Sequence, residues 1–145
     1  MKILVCTDGS EHSQKALEEA SKIAGGCNAD EVIIIHVYEK PPTYYSEATS
    51  VADIDRFREL DRAEREERKK ILAEALKIFE KKNIKASTIF EEGHPAEAIT
   101  KVASEGDFDM IVMGSRGRGG LKKLFLGSVS GAVVHEAKAN VLTVK

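Results

Sequence analysis

The stretch Glu31–Tyr38, EVIIIHVY, carries Val32, Ile33, Ile34 and Ile35 without a polar break. A strand with one wet face would alternate. A continuous Val/Ile run reads instead as a strand buried on both faces, the habit of parallel sheets. Upstream, Lys2–Thr7 (KILVCT) is a second short apolar run of the same kind. Asp8-Gly9-Ser10 turns the chain between them, with Ser10 as the expected N-cap and Glu11 in the first helical turn. Ala16, Leu17, Ala20, Ile23 and Ala24 then repeat with helical spacing, and Gly25-Gly26 is predicted to stop that helix.

Downstream, Glu39–Ser50 reads as a loop, with Pro41-Pro42 and Tyr44-Tyr45; loops of this length are often functional or mobile. From about Val51 to Lys82 the spacing predicts one long charged helix, with an apolar stripe at Leu72, Ala75, Leu76 and Phe79. Its first half, DRFRELDRAEREERKK, reads as mostly a solvated face laced with opposite charges at i, i+4. Asn83 ends it, and Lys85–Glu91 alternates like a strand. Gly93-His94-Pro95 opens a further helix with Ala96, Ile99, Val102 and Ala103 inward. Asp109–Met113 is the next strand, a helix starting near Ser128 packs Val129, Ala132, Val133 and Ala137, and Val141–Val144 closes the chain. Strand and helix alternate throughout, which predicts a single α/β domain: a doubly wound parallel sheet with helices on both faces.

Between the fourth strand and the last helix lies GSRGRGGLKKLFLGSVS, Gly114–Ser130. Glycines let a backbone come close to a ligand, and successive N–H groups make an anion nest. Arg116, Arg118, Lys122 and Lys123 add positive charge, and the following helix adds free N–H groups and the positive end of its dipole. The pattern is a polyphosphate cradle. No Gly-Lys-Ser/Thr closes it as a Walker A loop, and G-x-G-x-x-G cannot be laid on its glycines. If the first strands wind one way and the last the other, strands one and four become neighbours. Asp8 and Gly114 then flank one crevice at the carboxyl ends of the strands. Asp8 reads equally as an acceptor for ribose or base and as a turn residue.

The chain has 145 residues and a net charge of −2, enough for one cored domain and too balanced to point to nucleic acid or an anionic membrane. No apolar run reaches the length of a membrane span, and no signal-peptide pattern precedes the first strand. Cys6 and Cys27 lack metal-ligand spacing, so reduced thiols and a cytoplasmic location are expected. His12, His36, His94 and His135 are scattered over different elements and read as structural or surface residues.

Gly114-x-x-Gly117, nine residues, then Gly127-Ser128 is a spacing that resembles the ATP-binding branch of the universal stress protein family. The resemblance extends to the opening ILVCTDGSE, to His36-Val37 and to Gly93-His94-Pro95, and so covers essentially the whole chain. It implies a five-stranded sheet of order 3-2-1-4-5, in the Rossmann-like or flavodoxin-like manner. It also implies a homodimer through the last strand, here Val141–Lys145. The ligand would be ATP or another adenine nucleotide, with Mg²⁺ carried by its phosphates. Carried over by motif, Cys6, Thr7 and Asp8 line the adenosine side, and Val37 meets adenine through its backbone. Gly114, Ser115, Arg116 and Gly117 wrap ribose and phosphates, with Arg118 making the loop more basic than the motif requires. Gly127, Ser128, Val129 and Ser130 hold the phosphates by amides and hydroxyls. One departure is visible: Cys6 stands where many members have proline, and its thiol reads as packing rather than chemistry.

The expected role is a nucleotide-dependent regulatory switch in a stress response, acting on a protein partner that the sequence does not name. No base, nucleophile or Walker-type acidic strand end marks a dedicated catalytic centre. Two other readings stand beside the switch: a slow ATP-hydrolysing or phosphotransfer enzyme, and a dimeric interaction module that works without nucleotide.

Overall fold

The computed structural model describes residues 1–41, 48–117 and 126–145. The strands are β1 Lys2–Cys6, β2 Glu31–Tyr38, β3 Ser87–Glu92, β4 Met110–Gly114 and β5 Asn140–Val144. The helices are α1 Glu11–Cys27, α2 Val51–Glu80, α3 Pro95–Glu105 and α4 Ser128–Glu136. The strands form one parallel sheet in the order β3-β2-β1-β4-β5. The chain winds outward from β1 to β3, then returns to the other side of β1. The ends of β1 and β4 are therefore adjacent, as reversed winding requires.

Both faces of the sheet are covered, and strand parity decides which residue goes where. On β1, Ile3 and Val5 join one core with Ala16, Leu17 and Ala20 of α1 and Leu72, Ala75 and Phe79 of α2. Their neighbours Leu4 and Cys6 point the other way, into a second core with Ala96, Ile99 and Ala103 of α3 and Val133 of α4. A period of two against a period of 3.6 accounts for both sets.

Two local readings change. Gly25-Gly26 does not stop α1; the helix runs on to Cys27 and ends at Asn28, which takes φ 49° with its N–H on Ala24 O. Asparagine adopts the left-handed conformation at little cost, so the chain leaves the helix where that residue sits. The charged half of α2 is also less uniformly wet than its composition says. The buried Tyr38 ring at the end of β2 donates its hydroxyl to Asp61 (3.0 Å) and Glu64 (3.2 Å). Arg65 lies over that ring, 5.2 Å from its centroid, and pairs with Asp61 and with Glu92 of β3. These partly buried pairs tie α2 to the ends of two strands. The exposed pairs farther along, such as Lys70 with Glu67, contribute little. Among the described residues no helix is long and apolar enough to cross a membrane.

Candidate functional site

The turn after β1 is wired by its own side chains. Asp8 Oδ1 accepts from the Ser10 N–H (2.9 Å), and Ser10 Oγ accepts from the Ser13 N–H (3.2 Å), capping α1. Ser13 Oγ donates to Ser10 O (2.9 Å), so the 3.2 Å contact between Thr7 Oγ1 and Ser13 Oγ is a Thr7 donation. His36 Nδ1 stands 2.7 Å from Thr7 O; a carbonyl only accepts, so that ring nitrogen carries the proton. His36 thus anchors the turn from the core, a structural role within the structural-or-surface reading of the sequence. Asp8 is a turn residue, and its carboxylate also faces the crevice.

Across the crevice, β4 ends at Gly114. A side-chain carbon there would meet His12 C at 2.8 Å and Ser13 N at 2.9 Å. This glycine lets the end of β4 pack against the first turn of α1. Gly114→Ala is therefore expected to destabilise the protein by about 1–3 kcal/mol, the usual range for overpacking against a backbone that cannot yield. Chemical denaturation compared with wild type checks this. Gly117 differs: among the described residues, a side-chain carbon there would meet only the Asp8 carboxylate, Oδ2 at 2.7 Å.

Helix α4 opens with Gly127 as N-cap and no side-chain cap, whereas Ser10 and Ser50 cap α1 and α2. The first-turn amides of α4, like those of α3 behind His94, thus lack the side-chain acceptor that α1 and α2 have. Beside them, Arg116 Nε is buried and has no hydrogen-bond partner among the described residues. Together these make a pole that offers donors and positive potential. A cavity of about 520 Å³ runs from this pole to the Asp8 turn, within the size range of small-molecule sites. Its remaining wall is apolar: Ile35, Val37, Pro95, Ile99, Met113, Leu126, Val129 and Ala132. Glycine spacing, the uncapped helix start and the unpaired guanidinium atom suit a ligand with an anionic end. The apolar wall suits a flat, weakly polar remainder.

The model of the universal stress protein family matches residues 1–145. The chain belongs to that family. It is 36% identical over 143 residues to a universal stress protein of Thermus aquaticus, covering 99% of this chain and 97% of the relative. The solved structure of protein MJ0577, a protein of Methanocaldococcus jannaschii, superposes with a TM-score of 0.82 at 35% identity, covering 99% of this chain and 94% of that one. A universal stress protein solved in complex with cAMP superposes with a TM-score of 0.71 at 25% identity, covering 100% and 97%.

Within this universal stress protein fold, the cavity wall contains Cys6, Thr7, Asp8, Val37, Gly114, Arg116, Gly117, Gly127, Ser128, Val129 and Ser130. Ser115 is not in the wall; it is 1% exposed and its backbone is engaged elsewhere. Arg118, with Lys122 and Lys123, lies outside the described residues, as do Tyr44 and Tyr45 of the loop. Burial, with a smaller push from the Asp8 carboxylate, drives the Cys6 thiol well above its ordinary pKa, so it stays protonated and inert. The motif missed Ser13, Ile35, Pro95, Ile99, Met113, Leu126, Gly131 and Ala132. Some were findable: Ile35 shares a strand face with Val37, and Gly131 follows Ser128 by one helical turn. From sequence, Pro95 and Ile99 read as a helix start and as core. Among the described residues no group of three or more His, Cys, Asp or Glu could hold a metal ion.

Proposed function

We propose that this universal stress protein is a single nucleotide-binding domain over residues 1–145 that binds ATP, with Mg²⁺ carried on its phosphates, and acts as a nucleotide-dependent regulatory switch in a stress response. The observation that carries the reading is the donor pole: an α4 N-terminus without a side-chain cap, beside a buried Arg116 Nε that has no partner among the described residues. An anion is what such a pole accepts. The Gly114, Gly117, Gly127-Ser128 spacing and the relative solved with cAMP support an adenine nucleotide.

In this reading the amides of Ser128, Val129 and Ser130 and the guanidinium of Arg116 meet the phosphates. Gly117 and Gly127 keep the backbone close enough for that contact. Asp8 and Thr7 face the ribose, and the apolar wall with Val37 and Cys6 takes the base. Magnesium, held through the phosphates, would neutralise their charge. The protein works in the cytoplasm as a homodimer through β5, an edge strand whose Val141, Leu142 and Val144 are only partly buried. A switch must bind its nucleotide states unequally, or occupancy conveys nothing.

Calorimetric titration of nucleotide-stripped protein with Mg-ATP, ADP and AMP, with product followed in the same tube, tests this. Unequal affinities with little product are expected. Equal affinities for all three would remove the switch, and sustained ADP or AMP release would make the protein an enzyme. Failure to bind any of them would leave a nucleotide-independent interaction module. Arg116→Ala is expected to weaken ATP binding about tenfold, the scale of one charge-assisted hydrogen bond, and AMP binding less. The same titrations on the variant measure the ratio.

A further inference from the structure

We infer that the Ser130 hydroxyl is a positioning group rather than a phosphate contact, and that through Ser115 it couples the start of α4 to the C-terminal strand β5. Ser130 is 2% exposed, and its Oγ lies 2.8 Å from Ser115 O and 3.2 Å from Gly127 O. Both neighbours are carbonyls and can only accept, so the one hydroxyl proton is spent on them. What remains on that oxygen is lone pairs, which repel an anion. The hydroxyl therefore serves the fold of the cradle, and only the Ser130 N–H is left to serve the ligand.

Ser115 is the node. Its carbonyl accepts from both Ser130 Oγ and the Gly127 N–H (2.8 Å), and its own N–H donates to Val144 O (2.7 Å). Val144 pairs with Gly114 at the end of the β4–β5 ladder, and among the described residues β5 has no neighbour on its other side in the sheet. The bond from Ser115 is the next rung past that ladder. The cradle and the edge strand thus meet at one buried residue, through the peptide groups on either side of its Cα. An anion that draws the first turn of α4 toward it loads the Ser115 carbonyl, and the rung to Val144 responds. By reciprocity, whatever fixes β5 also firms the cradle.

Amide exchange followed by NMR on the full chain tests both halves. In protein free of nucleotide, Ser130→Ala is expected to speed exchange at the Gly127 and Ser115 amides about tenfold, and Ser130→Thr to restore it. Unchanged exchange at both amides, together with weaker Mg-ATP binding, would make the hydroxyl a direct ligand contact and overturn the assignment. The ligand-dependent half rests on the nucleotide reading. Saturating Mg-ATP is expected to slow exchange at Ser115 and along residues 140–144 of the wild type. In Ser130→Ala the slowing should stay within residues 127–131. Wild-type binding that leaves residues 140–144 unaltered removes the coupling alone. No binding of Mg-ATP removes the coupling with the nucleotide reading, while the nucleotide-free arm still decides the role of the hydroxyl.

Discussion

Gly117→Val is expected to lower Mg-ATP affinity by about a hundredfold or more, about 3 kcal/mol, while the fold survives. A first side-chain carbon at 117 already lies 2.7 Å from Asp8 Oδ2, closer than such contacts occur, so the carboxylate must move. The two γ-methyls of valine then occupy the mouth between the Asp8 turn and Arg116, where backbone and ligand have to meet. Gly117 is itself exposed, and among the described residues no core atom lies within reach of that carbon; the strain falls on the Asp8 carboxylate alone. Calorimetry on the variant, with a thermal melt to establish folding, gives the answer. A folded variant with wild-type affinity would take Gly117 out of the site.

Phe79→Ala is expected to cost about 3–5 kcal/mol of stability, the usual penalty for emptying an aromatic site in a packed core. Phe79 is wholly buried near the end of α2, in the core formed with α1 on the far side of the sheet from the cavity wall. Against a total of about 5–15 kcal/mol for a domain, that is a large share. Its neighbours are strand residues and helix residues held by their own ladders, so the space cannot collapse fully. The molecules that remain folded should bind nucleotide as before, because Cys6, Ile35, Ile99 and Met113 of the wall belong to the other core. Urea unfolding with an unchanged slope and a lowered midpoint is the expected record. A loss below about 1 kcal/mol would mean that the site repacks.

The three glycines of the motif show how far a pattern goes. As letters they are equivalent. In the structure Gly114 serves the packing of β4 on α1, Gly117 makes room beside a carboxylate, and Gly127 is an N-cap whose added carbon would make ordinary contacts of 3.4–3.6 Å. Their place inside the motif makes Ser115 and Ser130 read as ligand contacts. Their hydrogen bonds run inward, and no spacing rule carries that information. Tyr38 is a similar case. It ends an apolar strand and reads as core, yet its hydroxyl is met by Asp61 and Glu64 from a helix that reads as solvated.

By itself the sequence determined the fold class, the element types and the place of the crevice. Those follow from local periodicity, the uninterrupted Ile run of β2, the N-cap at Ser10 and the glycine-rich exit from β4, each legible within a few residues. Helix ends were less legible, as α1 shows by running past Gly25-Gly26 to Asn28. Only the tertiary structure decided which glycine packs and which makes room beside a carboxylate, which serine proton is already spent, and that Ser115 joins α4 to β5. Those outcomes depend on atoms brought together from positions far apart in the chain, Gly114 against His12 and Ser115 against Val144. The direction of a hydrogen bond and the room beside a Cα exist only once both partners are in place.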